Sequence, residues 1–257
     1  ISSPSIKEKT IFIWPEGILP GISQDEFNQF SGLFEKNFSE NHLLIVGINS
    51  KTENNDSIDF YNSLSIYDNK LNLLNFYNKI NLVPFGEFLP FENILKKIGL
   101  KSLTNNHQSF TKGKIRKVVR IDRKNFSIKV LPLICYEIIY SGKLFDDPDF
   151  DLIVNISEDG WFGKSIGPKQ HFTHSIFRAI ESGKYIARSS NNGIATIINP
   201  VGIEEQIVNY GRSGFIDLNE INKIQPTIFS KYGNKIFGLL ILLYILLIFS
   251  FKKIKNE

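Results

Sequence analysis

The chain has 257 residues, 42% of them hydrophobic, with 30 basic and 26 acidic side chains and a formal charge of +4. This length and composition give one large domain or two small ones around a real core, and exclude a disordered polyelectrolyte. The single cysteine, Cys135, excludes an internal disulfide and a zinc site built from thiolates.

No arginine-rich stripe with interleaved aromatics is present, so nucleic acid is not an expected partner. Residue 1 is Ile and methionine is absent, so the sequence is expected to be a fragment or a processed product. The polar opening ISSPSIKEKT lacks the apolar core of a secretory signal.

Apolar runs of strand length follow in chain order at 11–14, 43–49, 71–77, 118–121, 126–133, 151–155, 194–198 and 214–218. Residues 23–38 carry Phe27, Phe30, Phe34 and Phe38 at helical spacing, and Ser23 with Glu26 forms a capping-box pattern. Residues 169–185 place Phe172, Ile176, Ala179, Ile180 and Gly183 on one helical face. The Asn-rich stretch 51–59 reads as a loop, and 226–233 as a linker. Strands interleaved with helices predict a layered α/β domain.

Residues 236–251, IFGLLILLYILLIFSF, are sixteen positions without a charge. As a helix they extend roughly 24 Å, against a hydrocarbon core of about 30 Å. A buried core helix has the right length, but no polar stripe interrupts the run. The pattern predicts one C-terminal transmembrane helix over 235–257 including a short tail, after a domain at 1–234. Lys235 precedes the run and the tail KKIKNE carries three lysines, which places the tail in the cytoplasm and residues 1–234 on the opposite side.

Cys135 follows the apolar run VLPLI, at a strand end. A nucleophile there projects from a rigid element into a cleft, as in a nucleophile elbow; the plainer alternative is a small buried hydrophobe. Glu16, in IFIWPEG, also follows a strand. Lys79 and Glu87 lie eight residues apart in NKINLVPFGE. A thiol needs a base to become a nucleophile, which Glu16 can supply, and a tetrahedral intermediate needs positive charge near its oxygen, which Lys79 can supply.

The phrases WPEGILP, NKINLVPFGEFLPF, CYE and NISEDGWFGKSIGPKQHFTHSIFRAIESGKYIARSSNNGIATIINPVG, in this order, resemble the nitrilase-like (carbon–nitrogen hydrolase) superfamily. More narrowly, they are similar to its apolipoprotein N-acyltransferase branch. The resemblance covers most of residues 11–251. It implies a nitrilase-like αββα sandwich and a Glu–Lys–Cys triad in which Glu16 is the general base, Lys79 stabilises the oxyanion and Cys135 is the acylated nucleophile. Glu87 would orient Lys79 or the incoming amine. Tyr136 and Glu137 would flank the nucleophile in supporting roles. Trp161 and Phe162 would lie on a substrate-binding loop at the acyl-entry side. Arg188 and residues 191–193 (Asn-Asn-Gly) would be structural.

The branch carries membrane helices ahead of its catalytic domain, which are not in this sequence, and a first nitrilase strand is not evident before IFIWPE. Its usual Asn is Glu158 here. The resemblance implies no cofactor. It implies transfer of a fatty acyl chain from phospholipid, through a Cys135 thioester, to the N-terminal amine of a diacylglyceryl lipoprotein. The setting it implies is the bacterial inner membrane, with the catalytic domain periplasmic. Rival readings are an amidase hydrolysing a small amide and a silent membrane-anchored binding domain. The HxxH pair His171 and His174 has no third ligand at useful spacing, so these residues are expected on the helix surface or in packing.

Overall fold

Along the long strands, neighbouring residues turn to opposite sides, and both sides are buried. In β2 (His42–Asn54), Leu43 and Ile45 join one apolar cluster while Leu44, Val46 and Ile48 join another. A strand buried on both faces belongs to the inner layer of a stack. The computed structural model describes residues 5, 8–54, 57–91, 109–123, 126–142, 144–145 and 148–255.

Two sheets form that stack. The first has the order β1-β2-β3-β4, with β1 (Thr10–Ile13) parallel to β2, and β2, β3 (Ser57–Asp68) and β4 (Leu73–Asn78) successively antiparallel. The second contains β5 (Val119–Arg123), β6 (Phe126–Ile134), β7 (Leu152–Glu158), β8 (Tyr185–Asn191), β9 (Ala195–Ile198) and β10 (Glu204–Val208). Its order is β10-β9-β8-β7-β6-β5, with β6, β7 and β8 parallel.

The central core lies between the sheets, where Ile45, Leu64 and Ile66 meet Val130, Val154 and Ile156. Outside the first sheet, Phe27, Phe30, Phe34 and Phe38 cover Leu44, Val46 and Ile48. Outside the second, Phe172, Ile176 and Ala179 of helix α2 (Gly167–Ser182) cover Leu131, Leu133, Ile153 and Ile186. The result is the expected α–β–β–α layering. Helix α2 stops at Gly183, which has φ 65°, and a Cβ there would lie 2.5 Å from the Ile224 carbonyl oxygen. Glycine is therefore required on conformational and steric grounds.

Several elements differ from the sequence reading. The helix expected over 23–38 is a 3-10 turn (Phe27–Phe30) followed by the single turn α1 (Ser31–Phe34). The Ser23–Glu26 bonds form at 2.7 and 2.8 Å, but burial of the four phenylalanines decides the path, not helix propensity. The stretch 51–59 is not a loop. It is the distal part of the β2–β3 hairpin, where Lys51 pairs with Phe60 and Thr52 with Asp59. Residues 214–218 form no strand; Ile216 and Leu218 pack on the central core from an extended segment. The linker contains α3 (Ile228–Tyr232), N-capped by Thr227 through a 3.1 Å bond from the Ser230 N–H.

The last element, α4 (Lys235–Lys255), is helical as expected, and its large apolar side chains from Phe237 to Phe251 are exposed on every face. Among the described residues no helix is long and apolar enough to cross a membrane.

One contact ties the first sheet to the loop carrying Glu16. A Cβ on Gly47 of β2 would lie 2.4 Å from Glu16 Cα and 2.6 Å from the Pro15 oxygen. Gly47→Ala is therefore expected to lower stability by about 1–3 kcal/mol through overpacking. The change would be read as a lower urea midpoint at unchanged slope; an unaltered midpoint would mean the two segments separate at no cost.

Candidate active site

Three chain segments leave their strands at the same edge of the sandwich. Glu16 lies just beyond β1, Lys79 directly after β4, and Cys135 directly after β6. All three are buried, with Lys79 only 1% exposed. Lys79 Nζ donates to Glu87 Oε1 at 2.8 Å and to Glu16 Oε1 at 3.4 Å. Asn62 Nδ2 bridges the same two carboxylates, at 2.6 Å from Glu16 Oε1 and 2.8 Å from Glu87 Oε1. The outer oxygens are held by backbone donors: Glu158 N–H to Glu16 Oε2 at 2.8 Å and Val83 N–H to Glu87 Oε2 at 2.9 Å. Two carboxylates thus share one buried ammonium, with an amide between them.

Electrostatics sets the resting protonation. Burial works against the Lys79 ammonium, but the charges of Glu16, Cys135 and Glu87 outweigh it and hold the group above its usual range. Burial pushes the Cys135 thiol up to about 12. Glu16 adds to that rise, while Lys79 and a hydrogen bond with Ser157 oppose it. The cluster therefore rests with Cys135 as a neutral thiol beside an ammonium.

Cys135 has φ 48°, a left-handed conformation that non-glycine residues adopt only where surroundings enforce it. The 3-10 turn Cys135–Ile139 follows at once. Its buried Glu137 reaches back, with Oε2 accepting from Ile134 N–H at 2.9 Å. Glu137 Oε1 accepts from Tyr77 Oη at 2.8 Å, Ile80 N–H at 2.9 Å, and Asn81 N–H and Arg116 Nη2 at 3.1 Å each. One carboxylate thus binds the turn that begins at Cys135 to the segment carrying Lys79.

Behind the turn lies a second buried network. Asp159 Oδ2 accepts from Arg188 Nη2 at 2.7 Å, and Asp159 Oδ1 accepts from Ser157 Oγ at 2.7 Å. Despite burial, the His171 hydrogen bond and the Arg188 charge hold the Asp159 carboxyl well below the usual range. Gly193 makes room for it, since a Cβ there would lie 2.1 Å from Asp159 Oδ2.

Of the residues singled out from sequence, Glu16, Lys79 and Glu87 share one network, and Cys135 interacts electrostatically with all three. Tyr136 packs against the central core and stacks edge-on with Tyr140 at 5.6 Å. Trp161 and Phe162 lie on the turn after β7, both exposed, with the Phe162 ring 5.4 Å from that of His171. Arg188 is fully buried, and Asn191 and Asn192 bond the Glu158 carboxylate. His171 is not on the helix surface: it is 4% exposed and faces inward. Among the described residues no cluster of three His, Cys, Asp or Glu is placed to hold a metal. Sequence reasoning missed Asn62, Arg116 and Asp159. Asn62 carried no signal, being one of many asparagines; Asp159 lay inside a quoted phrase without being weighed.

Two expectations follow. The negative charge of Glu16 raises the thiol, so Glu16→Gln should move the pH midpoint of Cys135 alkylation by iodoacetamide downward, and Lys79→Met should move it upward. A midpoint indifferent to both changes would show that the thiol senses neither group. Glu137→Leu should abandon three backbone donors, the Tyr77 hydroxyl and Arg116, at about 1–3 kcal/mol for each buried donor left unpaired. That variant is expected to lose cooperative thermal unfolding near the wild-type temperature.

The profile of the Carbon-nitrogen hydrolase family matches residues 7–221. Apolipoprotein N-acyltransferases are similar over almost the whole chain. That of Rickettsia prowazekii is 36% identical over 99% of this chain and 51% of its own length; that of Bradyrhizobium diazoefficiens is 34% identical over 95% and 46%. The chain spans about half the length of these curated relatives. Among solved structures, Nit3 of Saccharomyces cerevisiae, described as a member of branch 10 of the nitrilase superfamily, aligns with a TM-score of 0.52 at 16% identity, covering 79% of this chain and 74% of that one. An amidase from Nesterenkonia sp. aligns with a TM-score of 0.50 at 12% identity, covering 90% and 82%. These two likenesses concern the fold alone. With the profile match running from before β1 to beyond β10, the chain belongs to the carbon–nitrogen hydrolase family, the nitrilase-like superfamily.

Proposed function

We propose that this chain is the catalytic part of a lipoprotein N-acyltransferase, moving a fatty acyl chain from phospholipid to the N-terminal amine of a diacylglyceryl lipoprotein through a thioester on Cys135. The observation that carries the reading is the buried group of Glu16, Lys79 and Glu87 electrostatically coupled to Cys135, in a chain similar to apolipoprotein N-acyltransferases over nearly all its length.

Glu16 takes the thiol proton as Sγ attacks the ester carbonyl. The Lys79 ammonium faces the oxyanion of the tetrahedral intermediate. Collapse breaks the carbonyl–oxygen bond, and Glu16 returns the proton to the departing lyso-phospholipid oxygen. The lipoprotein amine then attacks the thioester, Glu16 accepts its proton, and the thiolate leaves and is reprotonated. A thiol held near 12 at rest suits this order, since the proton leaves only as the carbon–sulfur bond forms. Glu87 and Asn62 keep Lys79 and Glu16 in register.

Residues 1–234 form the catalytic domain in this reading. The apolar helix that follows attaches the domain to the bacterial inner membrane, on its periplasmic face. The exposed apolar side chains from Phe237 to Phe251 of α4 support the attachment. An amidase acting on a small soluble amide has no use for such a surface.

Incubation with phospholipid should place a fatty-acyl mass on the Cys135 peptide, read by mass spectrometry, with no adduct in Cys135→Ser and little in Glu16→Gln. Acylation of a lipoprotein amine with Cys135 unmodified throughout would refute the thioester route.

A further inference from the structure

The HxxH histidine that points inward sits at the nucleophile. His171 projects from α2 toward the turn after β6, and its Nε2 lies 3.0 Å from the carbonyl oxygen of Cys135. Its Nδ1 lies 2.8 Å from Asp159 Oδ1. A carbonyl oxygen and a carboxylate can only accept, so each ring nitrogen must donate to hold both contacts. The ring also faces Arg188, whose Nη2 is 3.3 Å from Nδ1, and Phe162, whose ring centroid lies 5.4 Å away.

We infer that His171 is a positioning residue for the nucleophile, holding the Cys135 carbonyl through Nε2–H while Asp159 fixes the ring through Nδ1–H. The backbone at Cys135 needs such a hold. Its φ of 48° is strained for a residue with a Cβ. Glu137 clamps the chain on the near side, at Ile134 N–H, and His171 clamps it on the far side, at the Cys135 carbonyl. The order Arg188–Asp159–His171–Cys135 makes a buried relay of position from β8 to the nucleophile. It acts on the orientation of Sγ toward Glu16 and Lys79, and the ring touches no reacting atom.

The inference rests on Cys135 being the nucleophile of the proposed reaction, but it can be tested without acyl transfer. Cys135 is the only cysteine, so iodoacetamide reports on one site in the full chain. His171→Leu is expected to slow alkylation of the folded protein at neutral pH at least tenfold. His171→Gln, whose amide N–H can reach the same carbonyl, is expected to recover most of the rate. Wild-type rates in both variants would overturn the assignment. So would equal slowing in both, which would mean that the ring acts through its packing. Retained alkylation behaviour with no fatty-acyl adduct from phospholipid would count against the acyltransferase reading and leave the positioning role standing.

Discussion

The site depends first on the Glu137 carboxylate. It is buried without exposure, and an isolated carboxylate there would cost several kcal/mol. Five donors offset that cost, and they come from three separate stretches of chain: Tyr77, Ile80 and Asn81 at and just beyond the end of β4, Arg116 before β5, and Ile134 at the end of β6. The first sheet and the second meet at this group. Lys79 belongs to one sheet and Cys135 to the other, so the distance between the cationic and nucleophilic groups is set by the donors that Glu137 gathers. Burial and the Glu137 charge push the Tyr77 phenol up, which keeps it a donor across the physiological range.

A second consequence follows from where the charges lie. Lys79 is buried against Glu16 and Glu87, and Asn62 separates the two carboxylates. Without Asn62 and Lys79 the carboxylates would repel. The arrangement favours charge movement during reaction over a standing thiolate, and a buried neutral thiol is less exposed to oxidation than a thiolate.

The parts of this organisation that were legible in the sequence are those written in local pattern. Strand ends next to Glu16, Lys79 and Cys135 could be read because apolar runs stop beside them, and α2 because its apolar positions keep helical period. The β2–β3 hairpin beyond Lys51 was not legible, because a hairpin that extends past the core has polar sides and no burial to impose alternation. Nor was β8, whose run YIARSSN turns Arg188 and serines toward a polar network. The phenylalanines at 27, 30, 34 and 38 misled by having helical spacing while packing from a 3-10 turn and one α turn. For His171 the surface and packing alternatives stayed open in the sequence, because spacing places it on a helix face but cannot say that the face opens onto a buried Asp–Arg pair. Contacts between residues far apart in sequence, such as Glu137 with Arg116 or Asp159 with Arg188, leave no periodic trace.

The same turn that carries Cys135 also leads to the root of α4. Beyond Ile139 the chain is held by α2: Arg178 Nη1 donates to the carbonyls of Ile139 and Tyr140, and Glu181 accepts from Gly142 N–H. Glu181 also presents its backbone carbonyl to Thr227, the cap of α3. Gly142 and Gly233 then cross so closely that a Cβ on Gly142 would lie 3.0 Å from Gly233 Cα, and one on Gly233 would lie 2.7 Å from the Gly142 oxygen. Two glycines are needed for that approach. The apolar helix therefore starts from a point fixed to the exit of the nucleophile turn, and no long flexible tether intervenes.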